Sequence, residues 1–537
     1  MNTFYEAFFE AAMERTGYFI ISFVLIFNLA KTEFLFGQNQ IQNPDSALVN
    51  RLKQIEGTPL SLDQAIRYAM DKSTGIQQAK AELKSAEGAY KRELGFFDPV
   101  LFASYQHIDD KSPTASFFSG ANILETQQTT SKAGIRMDLP YGTELEASMN
   151  ANEFKTNSSF ASLNPQYDTG ITFSVRQSLL SGFAASARKQ LSSAEKALEA
   201  AQKRYDQTKL DISSEVERNY WDLYAAERDY AVQQLVRDQA RAVLDEAQIR
   251  HKTGLVGPNE VANAKVFLTQ QELALFDSQE RLDKMSDQFA SLIGQRPEKG
   301  MYRFIMTDQP GQDFSIAPVD EVVAQSVEDN YRLQAAKHDI ENAKVLAKAA
   351  GWEVLPSLDL IGSLGGNGLA GTGRDIVFNG QTFPGPANSQ LSDALNQSIK
   401  RDYPNWSIGV ELTYPIGSRT GSGNKKSARA RVVLAEQQFI AAERQLEDQV
   451  RNSHRELENG VQRLKIAREQ VEAAQEQVRI GLIEFHNGRS TAFELVRLAA
   501  DFAQAQQRYS QELVRNAKAA ATLKQLTAGK YPAENSN

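Results

Sequence analysis

The chain has no cysteine in 537 residues. That excludes disulfides, thiolate metal sites, a cysteine nucleophile and the acylated amino-terminal cysteine of a bacterial lipoprotein. A basic excess is also missing. Lys plus Arg number 59 against 67 Asp plus Glu, a net charge of −8, and nucleic-acid binding favours a basic surface. No nucleic-acid partner is expected. Long apolar runs are scarce. The one strongly apolar stretch, YFIISFVLIFNLA at 18–30, is shorter than the roughly 20 residues of a membrane-spanning helix. Its length suits the centre of a secretory signal, and residues 1–37 are read as one. Glu6, Glu10 and Glu14 outweigh Arg15 ahead of it. Met13 offers a more ordinary start, and Ala30 or Gly37 a small residue for cleavage. If the remainder resides in a membrane, it must do so as a closed β-barrel.

Histidine is rare as well: His107, His251, His338, His454 and His486. None is spaced as H-x-x-x-H. His251 and His486 fall near two glycine turns and read as exposed helix-end residues rather than metal ligands. The stretch GNGLAG at 366–371 has the letters of a dinucleotide motif, but no helix is expected after it, and it reads as a flexible strand connection within a polar loop over 366–403. The run NYWDLY, with Tyr220, Trp221 and Tyr224, reads as helix packing. No carboxylate pair stands apart for acid–base work. No enzyme, metal or cofactor is expected.

What is present is a duplication. Residues 62–101 align without a gap on 319–358: Asp63 meets Asp320, Lys80 meets Lys337, Pro99 meets Pro356, an offset of 257. Later residues repeat at an offset of 234, setting Val216 on Val450, Gly254 on Gly488 and Glu260 on Glu494. Each copy reads helix, β segment, long helix, turn, helix. Pro99 and Pro356 end the first helices. Alternating strand patterns follow at 100–108, 131–139, 143–152 and 169–179 in the first copy, and at 357–365 and 405–415 in the second. The predicted organisation is a repeat over 38–295, a linker at 296–318, and a repeat over 319–530. Its helices are predicted at 184–252, 258–293, 319–352, 424–486 and 491–527.

Residues 184–252 contain neither proline nor glycine, and 424–480 only Gly460. At about 1.5 Å per residue, a helix of that length approaches 100 Å. Val450, Leu457, Leu464, Val471, Val478 and Phe485 recur every seven residues, a seam that implies partner helices. In the first copy Arg237 breaks the matching register. Gly254 and Gly488 sit where a helix end wants a left-handed residue, Pro258 suits a helix start, and Thr491 with Glu494 forms a T-x-x-E capping signature. Each copy therefore ends in a helical hairpin.

In its duplicated order, its prolines before the strands and its paired glycine turns, the chain resembles the TolC-like outer membrane factors over roughly 60–530. The resemblance implies a mainly α fold with a β-barrel portion. Three copies would build an α-helical periplasmic tunnel continuous with an outer-membrane barrel in lipid, with 296–318 and the termini as a belt. It implies a passive exit duct for efflux or type I secretion, joined by a periplasmic adaptor to an inner-membrane RND, ABC or MFS transporter. The adaptor-contact turns would be Thr253, Gly254, Leu255 and Val256, and Asn487, Gly488, Arg489 and Ser490. Glu260 and Glu494 match the first acidic position of the periplasmic mouth. Asn263 and Arg497 occupy the second, a departure that weakens a double carboxylate ring and suggests an Arg497–Glu494 latch between neighbouring helices. The competing reading is a periplasmic coiled-coil structural or adaptor protein without a pore. The first copy offers four strand patterns where two suffice; the extra pair, turning at DLPYGTEL (138–145), would enlarge the barrel or lie outside it.

Overall fold

The computed structural model describes residues 44–115, 119–311, 314–315, 317–378, 380–531 and 533–534. The apolar stretch read as a signal lies outside them. The chain divides into two units. Among the described residues, one comprises 44–66, 216–311 and 457–518; the other comprises 67–215, 314–456 and 519–534.

The second unit carries the sheet. Helices α2 (Leu62–Lys72) and α3 (Thr74–Gly95) lead into β2 (Val100–Pro113), β3 (Ile123–Leu139), β4 (Thr143–Thr156) and β5 (Leu163–Ser178). In the second copy, α6 (Val319–Asp329) and α7 (Tyr331–Glu353) lead into β8 (Ser357–Gly373) and β11 (Tyr403–Thr413). The predicted single helix at 319–352 is thus two. Asn330 leaves helical geometry at ψ 120°, and its side-chain oxygen accepts the backbone N–H groups of Arg332 and Leu333, an N-cap that starts a new helix. Ser73, at ψ 133°, makes the same break one duplication offset earlier.

All six strand patterns become strands of one antiparallel sheet, in the order β11-β8-β5-β4-β3-β2. Gly142, at φ +78°, turns β3 into β4. The strand at 357 runs on to Gly373, through the stretch read as a loop. A small β9–β10 hairpin (Ile376–Phe378, Gln381–Phe383) and helix α8 (Leu391–Lys400) follow. The glycines of 366–371 serve close packing: a Cβ on Gly368 would lie 1.9 Å from the Ala394 carbonyl oxygen. Thr169 Oγ1 meets Ser398 Oγ at 2.7 Å, so α8 lies against β8 and β5 with room between them for small side chains only.

The first unit contains α1 (Pro44–Leu52), β1 (Thr58–Leu60), α5 (Pro258–Ile293) and β6 (Phe304–Met306). It also holds portions of three long helices: α4 (Lys189–Lys252, 64 residues), α9 (Arg419–His486, 68 residues) and α10 (Ala492–Leu526). Of the heptad residues, Val450, Leu457, Leu464, Val478 and Phe485 are buried and Val471 is half-buried. Strand β6, from the linker, pairs in parallel with β1. Tyr220, Trp221 and Tyr224 do pack, with Tyr220 edge-on to Trp221 at 5.0 Å between centroids. The Tyr220 hydroxyl also accepts the N–H groups of Thr307 and Asp308 at 3.1 Å, tying the linker to α4. The two-residue strands β7 (Phe314–Ser315) and β12 (Ala533–Glu534) pair in the other unit.

Candidate channel wall and hairpin tips

Alternation splits the sheet into two unlike faces. Leu101, Ile135, Ala147, Phe173, Leu364 and Trp406 stand in one cross-strand row. With Leu360, Ile408, Val410 and Leu412 they form an exposed apolar face. The opposite face is polar and internally bonded. Lys132 Nζ donates to Glu146 at 2.9 Å, Thr130 to Asn152 at 3.1 Å, and Ser363 Oγ lies 2.7 Å from Ser407 Oγ. Arg176 bridges Asp359 at 2.7 Å and Glu411 at 3.1 Å, across three strands. One face suits hydrocarbon and the other water, the division of a membrane barrel wall.

The tips lie in the first unit. Gly254, φ +77°, and Gly488, φ +71°, are both left-handed. At the first turn the N–H of Leu255 reaches the Arg250 carbonyl at 2.9 Å and that of Gly254 the His251 carbonyl at 3.0 Å. At the second, Arg489 reaches Glu484 at 2.8 Å and Gly488 reaches Phe485 at 3.0 Å. These are the paired bonds of a Schellman cap, made twice at the duplication offset. Thr253, Gly254, Leu255, Asn487, Gly488 and Arg489 are exposed, while Val256 and Ser490 are half-buried. Leu255 exposes 75% of its surface with no packing reason to be apolar.

Each mouth residue falls on the first turns of its helix. Glu260 is half-buried, and Asn263, Glu494 and Arg497 are exposed. The Glu494 N–H donates to Thr491 Oγ1 at 3.3 Å, one half of the predicted box. Arg497 Nη2 lies 3.5 Å from Glu494, within the same helix. Beneath the turns, Val243, Leu244, Ala247, Ala264, Leu268, Phe485 and Leu495 form a common core for both hairpins. Arg250 stacks 4.1 Å above the Phe485 ring and donates to its carbonyl at 3.3 Å. It thereby caps the other hairpin's helix, where a cation opposes the negative end of the dipole. Sequence reasoning passed over Arg250, because nothing along the chain pairs it with Phe485.

Elsewhere in this unit, Glu227 is buried and accepts the Met306 N–H at 2.9 Å. Burial pushes its carboxyl up to about 8, against the pull of the Met306 hydrogen bond and of Arg303. In the sheet-bearing unit, Glu199, His338 and Glu341 group their donor atoms within 4.8 Å. Lys196 Nζ already neutralises the two carboxylates at 2.7 and 3.2 Å, which leaves little field for a metal ion.

A duplicated chain with paired helical hairpins and a two-faced antiparallel sheet is the architecture of an outer-membrane channel protein. The family model for outer membrane efflux proteins matches residues 143–295 and 322–529. The chain belongs to that family. Its place is accordingly the outer membrane, and family members are channels rather than enzymes. No curated protein sequence matches it. Among solved structures it is similar to the outer membrane protein VceC from Vibrio cholerae, at 16% identity, TM-score 0.61, over 87% of this chain and 96% of that one. It is similar also to the CmeC outer membrane channel of Campylobacter jejuni, at 13% identity, TM-score 0.60, over 89% and 87%. The MtrE outer membrane channel of Neisseria gonorrhoeae, described in its open state, is 16% identical, with TM-score 0.60 over 89% and 91%.

Proposed function

We propose that the chain is the exit duct of a tripartite efflux or type I secretion system, working as a homotrimer. One observation carries this reading. A single chain presents a charged, hydrogen-bonded sheet face and an exposed apolar one, and among the described residues both edge strands are unpaired. Such a sheet is stable in lipid only when closed. Sister copies provide the closure, lipid covers the apolar face, and water fills the polar side. A coiled-coil adaptor without a pore would have no use for that apolar face.

The exposed turns at 253–256 and 487–490 are the docking points for a periplasmic adaptor, through which an inner-membrane RND, ABC or MFS transporter drives the substrate. Two identically capped, solvent-facing turns per chain would give a trimer six equivalent contacts. At the mouth, Arg497 is free to exchange its own-helix partner Glu494 for a neighbour's carboxylate and latch the opening. Arg497→Ala then raises single-channel conductance, and an unaltered closed state would refute the latch. The docking claim is tested by photo-crosslinking side chains placed at 254 and 488 in cells. Capture of one periplasmic adaptor from both positions supports it, and absence of any adduct from either refutes it.

A further inference from the structure

The second copy contributes two strands to the sheet, β8 and β11, but the first contributes four. We infer that all six belong to the barrel, so that three copies close a wall of eighteen strands in which β2 of one copy pairs with β11 of the next. The inference rests on the trimer proposed above and decides what that trimer encloses.

Three features of the sheet support it. The extra strands are fully integrated: β3 pairs with β4 from Thr126–Thr156 to Leu139–Thr143, and β2 with β3 from Val100–Arg136 to Pro113–Ile123, without a register shift. They also keep both faces in phase. Leu101 and Ile135 extend the apolar row, while Lys132, on β3, reaches Glu146 of β4 on the polar side. A hairpin folded away from the barrel would have to abandon those pairs. Finally, the number of strands is even, so β2 and β11 run in opposite directions and antiparallel closure is available.

The apolar band also tells where the seam lies. On β2 it covers Leu101 to Tyr105, and polar His107, Asp109 and Lys111 follow on that face. On β11 it covers Trp406 to Leu412. Leu101 and Trp406 share one row, so the band slides along the strands by roughly one residue per strand, the stagger that tilted barrel strands need. Continuing that slide across the seam sets Leu101 beside Leu412, Ala103 beside Val410 and Tyr105 beside Ile408 of the adjacent copy. Every pair is apolar, and every member faces lipid. Barrel diameter grows about linearly with strand number. Eighteen strands therefore enclose roughly twice the cross-section of the twelve that four strands per chain would give.

The chain's lack of cysteine makes the test clean. Ala103→Cys with Val410→Cys, and Leu101→Cys with Leu412→Cys, are placed in the full chain, oxidised in outer membranes, and run without reductant. The expected result is a covalent ladder ending at the trimer for these pairs. A twelve-strand wall, with the β2–β3 hairpin outside, would instead join β4 to β11, so Ala147→Cys and Met149→Cys are each paired with Val410→Cys. Crosslinks from those β4 positions, or intact trimers with no β2–β11 crosslink, overturn the inference while leaving the exit-duct reading in place. Absence of trimers from the unsubstituted chain would defeat that reading as well, and the inference with it.

Discussion

Glu227 offers a prediction whose sign follows from burial alone. The carboxyl is 4% exposed and is raised from 4.5 to about 8 in the folded chain. Between those values the native state holds a proton that the unfolded state has released. Stability then falls as pH rises, by about 1.4 kcal/mol per unit. The contribution is fully present below pH 4.5 and is lost as pH rises through about 8. Glu227→Gln keeps an oxygen for the Met306 N–H and removes the titration. The assay is thermal unfolding of the detergent-solubilised protein from pH 5 to 8, taken as wild type minus variant so that other groups cancel. The wild type should lose ground to Glu227→Gln steadily across that range, by several kcal/mol in all, with no further loss above it. A difference independent of pH would refute the reasoning, and a wild type that gains on the variant would reverse its sign.

Other expectations follow from single contacts. Gly488→Ala forces a Cβ into left-handed geometry and should cost about 1–2 kcal/mol, read as faster amide exchange in the last turn of α9; Gly254→Ala should do the same for α4. Arg250→Lys keeps the charge but loses the planar stack on Phe485, and should weaken protection of the Phe485–Arg489 amides by about 0.5–2 kcal/mol. Arg176→Met leaves the buried Asp359 with only its serine partners Ser178 and Ser357. It should cost about 1–3 kcal/mol, seen as a lower temperature at which the folded band collapses on a gel. Gly368→Val drives a side chain into the Ala394 carbonyl and should release α8 from the sheet, with new protease cleavage near 391–400.

The helical half of the molecule was legible because its signals are local. Glycine-free spans, a seven-residue seam and Gly254 and Gly488 each act within a few residues of themselves, and the duplication made each reading twice testable. The strands were found by alternation, yet their ends were not. Glycine-rich 366–373 keeps only Asn367, Leu369, Ala370 and Thr372 as side chains and they do not alternate apolar with polar, so its place in β8 is set by the neighbouring β5 and by α8 lying over it. The breaks at Ser73 and Asn330 were missed because the surrounding helical pattern is in phase on both sides; a cap residue 257 positions from its equivalent was the available signal. Arg250 on Phe485 and Arg176 on Glu411 each join residues 235 positions apart, and Arg176 on Asp359 residues 183 apart; no pattern along the chain connects them.

The central claim is that copies of this chain enclose a water-filled path through the outer membrane. The most direct test is to reconstitute the purified, detergent-extracted protein into a planar lipid bilayer and record current. The account predicts trimeric particles that open discrete ion-conducting steps. A protein that remains monomeric in detergent and leaves the bilayer sealed would contradict it.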